Sequence, residues 1–180
     1  MSETKKLVLG AMLISISLVL GFTGWGFIPL PLPIAGATIF HIPVILAGIM
    51  LGPWYGVMTG CVFGAFAIQQ FPMFPWFVLF PARPLIGLVA GFVFMFVSRF
   101  DKKKMIAAAS AGVLGSFTNS AVTLGLATIF RVFGETLDAN LAVVISVIPV
   151  ILTEAVLAAI IAPAIFTVWL AYLGKPKTGR

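Results

Sequence analysis

Residues 82–130 read ARPLIGLVAGFVFMFVS, then RFDKKK at positions 99–104, then MIAAASAGVLGSFTNSAVTLGLATIF. The two apolar runs, 82–98 and 105–130, are each close to the ~20 residues that a helix needs to cross a bilayer. The hexapeptide between them carries one arginine and three lysines, and such side chains are costly inside lipid. This pattern predicts two membrane-spanning helices joined by a solvated turn.

The rest of the chain continues the same composition. Of 180 residues, 61% are hydrophobic and 9% are charged, and the mean hydropathy is +1.18. A soluble domain carries about 25% charged residues, so this chain belongs in a membrane. Gly52-Pro53 is a helix-breaking signal, and Pro149 and Pro163 predict kinks or breaks in the last run. We expect an all-α integral membrane bundle that forms one domain, 1–180, with six transmembrane helices at 7–22, 37–51, 54–69, 82–98, 105–130 and 141–172.

The basic residues indicate the orientation of this bundle. Nine of the eleven Lys and Arg residues fall in the N-terminal tail, in the 99–104 loop or in the C-terminal tail. An even number of spans places all three segments on one side, and positive residues concentrate on the cytoplasmic side. The sequence therefore predicts cytoplasmic N- and C-termini. This sorting explains the net charge of +6 without nucleic acid as a partner.

The outer connections, 23–36 and 70–81, are rich in proline and aromatic residues, including the run 29–33, PLPLP. Alternate prolines remove hydrogen-bond donors and force extended backbone, so this run cannot be helical. Such loops could close over a cavity that opens to the outside. The apolar run after Lys5 and Lys6 shows no small-residue cleavage site, and we interpret it as a retained first helix and not as a signal peptide.

Several function classes are disfavoured. The sequence contains no phosphate-binding G-x-x-x-x-G-K-[ST] motif, so ATP could act only through another subunit. One histidine and one cysteine leave no metal cluster, no internal disulfide and no catalytic set, and we expect neither an enzyme nor a cofactor. A secondary transporter would often show an internal repeat, and none is evident.

Three polar residues within or beside the spans are candidate ligand contacts, because such groups are expensive in a membrane. Arg83, between two prolines, could bind a carboxylate through two parallel bonds, or it could be an interfacial arginine. Asn119 could bind an amide or hydroxyl, or hydrogen-bond another helix. Glu154 could bind ligand, or pair with Arg83 or a hydroxyl. Asn119 and Glu154 are expected at similar depth from the outer face.

Other candidates are weaker. Gln69 and Trp76 could line the mouth of the same site, although a wet helix end explains the glutamine equally well. His41 could contact ligand, but a lone histidine is more often a capping or packing residue. Small residues recur every four positions in three spans and predict close helix packing, most simply inside one bundle: Gly52, Gly56, Gly60 and Gly64; Gly87 and Gly91; Ala108, Gly112, Ser116 and Ser120.

Over nearly its whole length the chain resembles the substrate-binding (S) components of energy-coupling factor (ECF) vitamin transporters. The resemblance is carried by HIPVILAG at 41–48, Leu51-Gly52-Pro53-x-x-Gly56, Gly60-x-x-x-Gly64, RPLIG at 83–87, FTN at 117–119, and Glu154-Ala155 with Pro163. The stretch 41–48 is most similar to the pantothenate group. The aspartate-rich segment that usually precedes the Ile-Pro of riboflavin-type members is absent.

The resemblance implies a six-helix protein in the cell membrane of a prokaryote, whose outer loops close over one vitamin. It implies docking on a transmembrane coupling (T) subunit that is bound to two ATP-binding subunits. The family's docking motif on the first helix is A-x-x-x-A, and here it reads Ala11-x-x-x-Ser15. Pantothenate has a carboxylate, an amide and two hydroxyls, which Arg83, Asn119 and nearby polar groups could bind. Glu154 would repel the carboxylate, so we expect it at the hydroxyl end, paired with protein, or protonated.

Overall fold

The structure is a computed structural model that describes residues 2–28, 37–72 and 74–173. Within these ranges the backbone forms eight helices and one two-stranded antiparallel sheet, which confirms the all-α class. In chain order the elements are α1 (Glu3–Thr23), β1 (Phe27–Ile28), β2 (Ala37–Thr38), α2 (Ile42–Leu51), α3 (Pro53–Gln70), α4 (Trp76–Leu79), α5 (Ala82–Val97), α6 (Met105–Ile129), α7 (Leu137–Ser146) and α8 (Ile148–Leu173).

Four stretches of the described chain are long and apolar enough to cross a membrane. They are Glu3–Thr23, Trp76–Val97, Met105–Ile129 and Ile148–Tyr172, with 21 to 25 residues each. They correspond to the first, fourth, fifth and sixth predicted spans. The count of six is not confirmed, because the predicted second and third spans are not among these four. Helix α2, in the second of them, has 10 residues and so extends only about 15 Å at ~1.5 Å per residue.

Helix α2 is the central element of the bundle. Its residues from Ile42 to Ile49 are all buried, and it contacts α1, α3, α5, α6 and α8. The predicted second span, 37–51, is therefore wrong in its first part, since residues 37–38 are a strand and the helix starts at Ile42. It ends where predicted, because Gly52 has φ of 106° and Pro53 begins α3, and proline tolerates the first turn of a helix.

Close packing at the predicted glycine ridges is confirmed inside the bundle, except at Gly52, where nothing lies within 4 Å of an added Cβ. A Cβ added at Gly56 would lie 2.7 Å from the carbonyl of Gly87, and one added at Gly60 would lie 2.3 Å from the carbonyl oxygen of Arg83. One added at Gly112 would lie 2.5 Å from the carbonyl oxygen of Ala158. Side chains at these positions would push the helices apart, so the glycines let α3 pack directly on α5, and α6 on α8.

The predicted sixth span, 141–172, consists of two helices, and the break predicted near Pro149 is present, whereas no break occurs at Pro163. Helix α7 ends at Ser146 and α8 begins at Ile148, next to Val147 with φ of −95° and ψ of 0°. Pro149 lies in the first turn of α8, where its missing N–H cannot extend the hydrogen-bond ladder of α7. Pro163, by contrast, lies inside the continuous α8.

The connections contain more structure than the sequence predicts. In the first outer connection Phe27 pairs with Thr38 and Ile28 with Ala37, while the PLPLP run lies outside the described residues. The second outer connection contains α4. The 99–104 loop is ordered by Asp101, whose carboxylate accepts from the backbone N–H groups of Lys103 and Ala107; the bond from Ala107 lowers the pKa of Asp101. The tail with Lys175, Lys177 and Arg180 lies outside the described residues.

Candidate solute-binding site

A cavity of about 210 Å³ lies among β2, α5, α6 and the start of α8. Its apolar lining comes from Leu124, Val147, Val150 and Ile151. Its polar lining comprises six side chains: Thr38, Arg83, Asn119, Ser120, Thr123 and Glu154. Three of these, Arg83, Asn119 and Glu154, are ligand contacts predicted from the sequence. Residues more than a hundred positions apart in the chain therefore meet around one small space.

The position of the cavity follows from the element order. Arg83 lies in the first turn of α5, and Asn119 lies in the second half of α6. Because α5 and α6 are joined by the basic 99–104 loop, both residues lie at the end of this helix pair that is remote from the loop. Glu154 is the seventh residue of α8, about 9 Å along its axis at ~1.5 Å per residue.

Arg83 is held by three neighbours and is only 7% exposed. Its Nη1 donates to Asn119 Oδ1 and to Thr123 Oγ1, the latter at 3.2 Å. Its Cζ lies 5.4 Å from the centre of the Phe63 ring, within cation–π range. Nε is buried without a hydrogen-bond partner, and Nη2 donates to no described residue. The two N–H groups on this side of the guanidinium are therefore unpaired within the described part of the chain.

Asn119 and Thr123 lie one helical turn apart on α6, so both side chains face Arg83. Asn119 accepts from Arg83 through Oδ1, and its Nδ2 has no hydrogen-bond partner among the described residues. The interhelical bond expected as one role of Asn119 is present. It leaves the amide with two N–H donors for a ligand.

Glu154 is the acidic member of the cavity and is 6% exposed. Its Oε1 accepts from the backbone N–H and from the Oγ1 hydroxyl of Thr38, both at 2.7 Å. Within the described residues Oε2 accepts no hydrogen bond, and Glu154 forms no salt bridge with Arg83 although both line the same cavity. The expected pairing of Glu154 with a hydroxyl is present, and the pairing with Arg83 is not.

The remaining predicted ligand contacts do not line this cavity. Gln69 and Trp76 are exposed. His41 is 1% exposed and precedes α2, with both ring nitrogens buried and unpartnered. Ala11 and Ser15, the proposed docking pair, are exposed on α1, where Ser15 Oγ donates to the carbonyl of Ala11 at 2.9 Å.

Three polar cavity residues were missed as ligand contacts: Thr38, Thr123 and Ser120, the last of which was predicted only as a packing residue. Thr123 carried a usable signal, because it lies four residues after Asn119 and therefore on the same helix face. Thr38 carried none, since only the pairing of β2 with β1 and its contact with α8 bring it to Glu154.

The arrangement suits a solute with hydrogen-bond acceptors at one end and a donor at the other. The guanidinium and the asparagine amide offer donors on one wall, and Glu154 Oε2 offers an acceptor on another. Among the described residues no three His, Cys, Asp or Glu side chains form a group that could hold a metal ion. The polar groups that line this cavity can form hydrogen bonds and charge pairs with a solute.

Comparison with known proteins identifies the family of the chain. The family model described as "ECF transporter, substrate-specific component" matches residues 5–166, a range that runs from α1 far into α8 and includes every residue of the cavity. The chain is 30% identical over 160 residues to "Pantothenic acid transporter PanT" of Lactococcus lactis subsp. cremoris (strain MG1363), with 75% of this chain and 78% of that protein covered. Such components belong to membrane transporters and are not enzymes. The chain is thus a member of the family of substrate-specific components of ECF transporters.

Proposed function

We propose that this chain is the pantothenate-binding S component of an ATP-driven importer. It captures the vitamin at the outer face of a prokaryotic cell membrane and delivers it inside together with a T subunit and two ATP-binding subunits. The observation that carries the proposal is the cavity itself, in which Arg83 Nε is unpartnered and Glu154 Oε2 accepts no hydrogen bond from a described residue. The similarity to the lactococcal pantothenic acid transporter supports the choice of vitamin.

The functional groups of pantothenate match those of the cavity. Its carboxylate fits the free Nε and Nη2 fork of Arg83, a geometry that favours two parallel charge-assisted bonds. Its amide carbonyl can accept from Asn119 Nδ2, and a hydroxyl can donate to Glu154 Oε2. This orientation keeps the ligand carboxylate away from Glu154, where like charges would repel.

The volume of the cavity also favours a compact vitamin. At about 210 Å³ it is smaller than the ~300–1,000 Å³ pockets that enclose typical drug-sized ligands. Pantothenate is a short chain without a ring, whereas riboflavin and folate carry fused ring systems. The larger vitamins would require the helices or the outer connections to move apart.

The six-span, N-in arrangement remains part of the proposal, and the site position supports it. The cavity lies at the end of α5 and α6 that is remote from the basic 99–104 loop, and basic loops favour the cytoplasmic side. The exposed pair Ala11 and Ser15 on α1 is the proposed contact with the T subunit, since small residues let helices approach closely.

Calorimetric titration of the full chain in detergent tests the vitamin. Pantothenate should bind at one site per chain with submicromolar affinity, while thiamine, biotin, riboflavin and folate at the same concentration should give no saturable heat. Tight binding of another vitamin would keep the S-component assignment and refute pantothenate. Absence of binding to all five would refute the proposed function.

A further inference from the structure

The contact between Thr38 and Glu154 joins two distant parts of the chain, the short outer sheet and α8. Both donors of Thr38, the backbone N–H and the hydroxyl, reach the same carboxylate oxygen, Oε1, at 2.7 Å each. Thr38 and Glu154 both line the cavity. An oxygen that accepts two donors carries no proton, so Oε1 is a pure acceptor in this arrangement.

The orientation of a glutamate carboxylate is not set by its own torsional preference. The terminal χ3 torsion of glutamate is broad and roughly two-fold, so the two oxygens could readily exchange places or tilt. Two donors that converge on Oε1 remove this freedom. They leave Oε2, which accepts no hydrogen bond from a described residue, as the atom that Glu154 presents to a solute.

We propose that Thr38 is a specificity-determining positioning residue, which fixes Glu154 Oε2 as a preset acceptor for a ligand hydroxyl. The inference rests on the proposed function and deepens it: the site selects solutes that carry a hydroxyl donor at the end opposite their carboxylate. Preset groups favour the matching ligand because no orientation has to be lost on binding. A ligand without that hydroxyl leaves a buried carboxylate oxygen unpaired, which is costly.

The test compares pantothenate with its two mono-deoxy analogues, each lacking one hydroxyl, by titration into the full-length protein. For the wild-type chain, removal of one of the hydroxyls should weaken binding by at least about tenfold, as expected for a hydrogen bond to a charged group. Thr38→Val removes the side-chain donor and keeps the shape. The substitution should reduce the ratio of the affinity for pantothenate to that for the deoxy analogue to less than about threefold, mainly because pantothenate itself binds less tightly.

Thr38→Ser is the matched control, because it restores the hydroxyl and should restore the ratio. Glu154→Gln is an independent variant that still accepts from Thr38 through its amide oxygen but presents an uncharged NH₂ group to the cavity. Charged hydrogen bonds are about twice as strong as neutral ones, so the ratio should also fall in Glu154→Gln, whether or not Thr38→Val folds.

The outcomes separate this inference from the proposed function. If the wild type fails to bind pantothenate, the proposed function is wrong. If the wild type binds pantothenate but does not discriminate against either deoxy analogue, only the inference is wrong. The inference is equally overturned if Thr38→Val weakens pantothenate and the deoxy analogues to the same extent, because a merely structural role of the sheet would do that.

Discussion

Arg83 is a buried cation, and only part of its guanidinium group is hydrogen-bonded. Nη1 contacts Asn119 and Thr123, while Nε has no partner and Glu154 is not in salt-bridge contact. A buried charge without full compensation lowers stability. Such a group is expected where a ligand supplies the missing partner, and a carboxylate is the anion whose two oxygens fit the guanidinium fork.

At this residue, the prediction concerns which part of the ligand Arg83 recognises. Arg83→Ala should weaken pantothenate by at least about thirtyfold, because truncation leaves a desolvated carboxylate unpaired. The affinity for the corresponding alcohol, in which CH₂OH replaces the carboxylate, should fall by less than about tenfold, since the hydrogen bonds that are lost involve an uncharged ligand group. Arg83→Lys should recover part of the affinity, because a lysine supplies the charge but not the fork.

Titration of both ligands into each variant measures this difference. Arg131→Ala is the control, since Arg131 is exposed and donates to the backbone carbonyl of Glu135 outside the cavity, and it should leave both affinities unchanged. Equal weakening of acid and alcohol in Arg83→Ala would mean that Arg83 shapes the bundle and does not bind the carboxylate.

The sequence identifies the costly polar residues of this site but not the threonines that hydrogen-bond to them. Arg83, Asn119 and Glu154 stand out because polar groups are rare and costly in apolar helices, and the structure brings all three together. Thr123 is recognisable only through its spacing of four residues from Asn119, because a threonine by itself is common in a membrane helix. Gln69 and Trp76 do not line this cavity, and polar and aromatic residues are ordinary at helix ends.

Among the helices, the α3–α5 contact determines where Arg83 lies. Gly60 packs against the first turn of α5, so that an added Cβ would lie 2.3 Å from the carbonyl oxygen of Arg83 and 2.6 Å from Pro84 Cα. These neighbours are backbone or ring atoms and cannot rotate away. The glycine on one helix therefore positions the arginine on the next.

Gly60→Ala should displace α5 and lower both stability and affinity. Overpacking of this kind costs about 1–3 kcal/mol, and the thermal midpoint in detergent should fall while pantothenate binds more weakly. Gly125→Ala on α6 is the matched control, because nothing lies within 4 Å of the added Cβ, and alanine favours a helix over glycine by up to ~1 kcal/mol. A Gly60→Ala protein with unchanged midpoint and affinity would contradict the proposed positioning.

The sequence predicts helix boundaries well where glycine or proline breaks the helix locally. It predicts boundaries poorly where contacts with distant residues determine the backbone conformation. Gly52-Pro53 ended α2 as expected, because the positive φ at Gly52 and the missing donor of Pro53 act locally. The break at Val147 is likewise signalled locally by Pro149, although the same signal at Pro163 does not interrupt α8. The strand at Ala37–Thr38 is invisible in sequence, because its hydrogen bonds are made to β1 and to Glu154.

At the scale of the whole molecule, the basic loop and the cavity lie at opposite ends of the α5–α6 pair. The basic 99–104 loop joins the two helices at one end, and Arg83 and Asn119 lie toward the other. In the proposed orientation this site lies toward the outer face, and a bound solute has to be carried to the cytoplasmic side. Delivery is the step that we assign to the T subunit and the ATP-binding subunits of the proposed importer.

The last prediction separates capture from delivery with a variant on α1. Vesicles that contain this chain together with a T subunit and two ATP-binding subunits should take up labelled pantothenate when ATP is supplied, and vesicles that contain the chain alone should only bind it. Ala11→Leu places a bulky group on the exposed small-residue face and should reduce uptake at least about tenfold by preventing close helix approach, with the binding affinity unchanged. Ala164→Leu, at an exposed position on α8, should leave both uptake and binding unchanged. Gradient-driven uptake by the chain alone would instead indicate a secondary transporter, and loss of binding in Ala11→Leu would place Ala11 in the fold and not in the subunit contact.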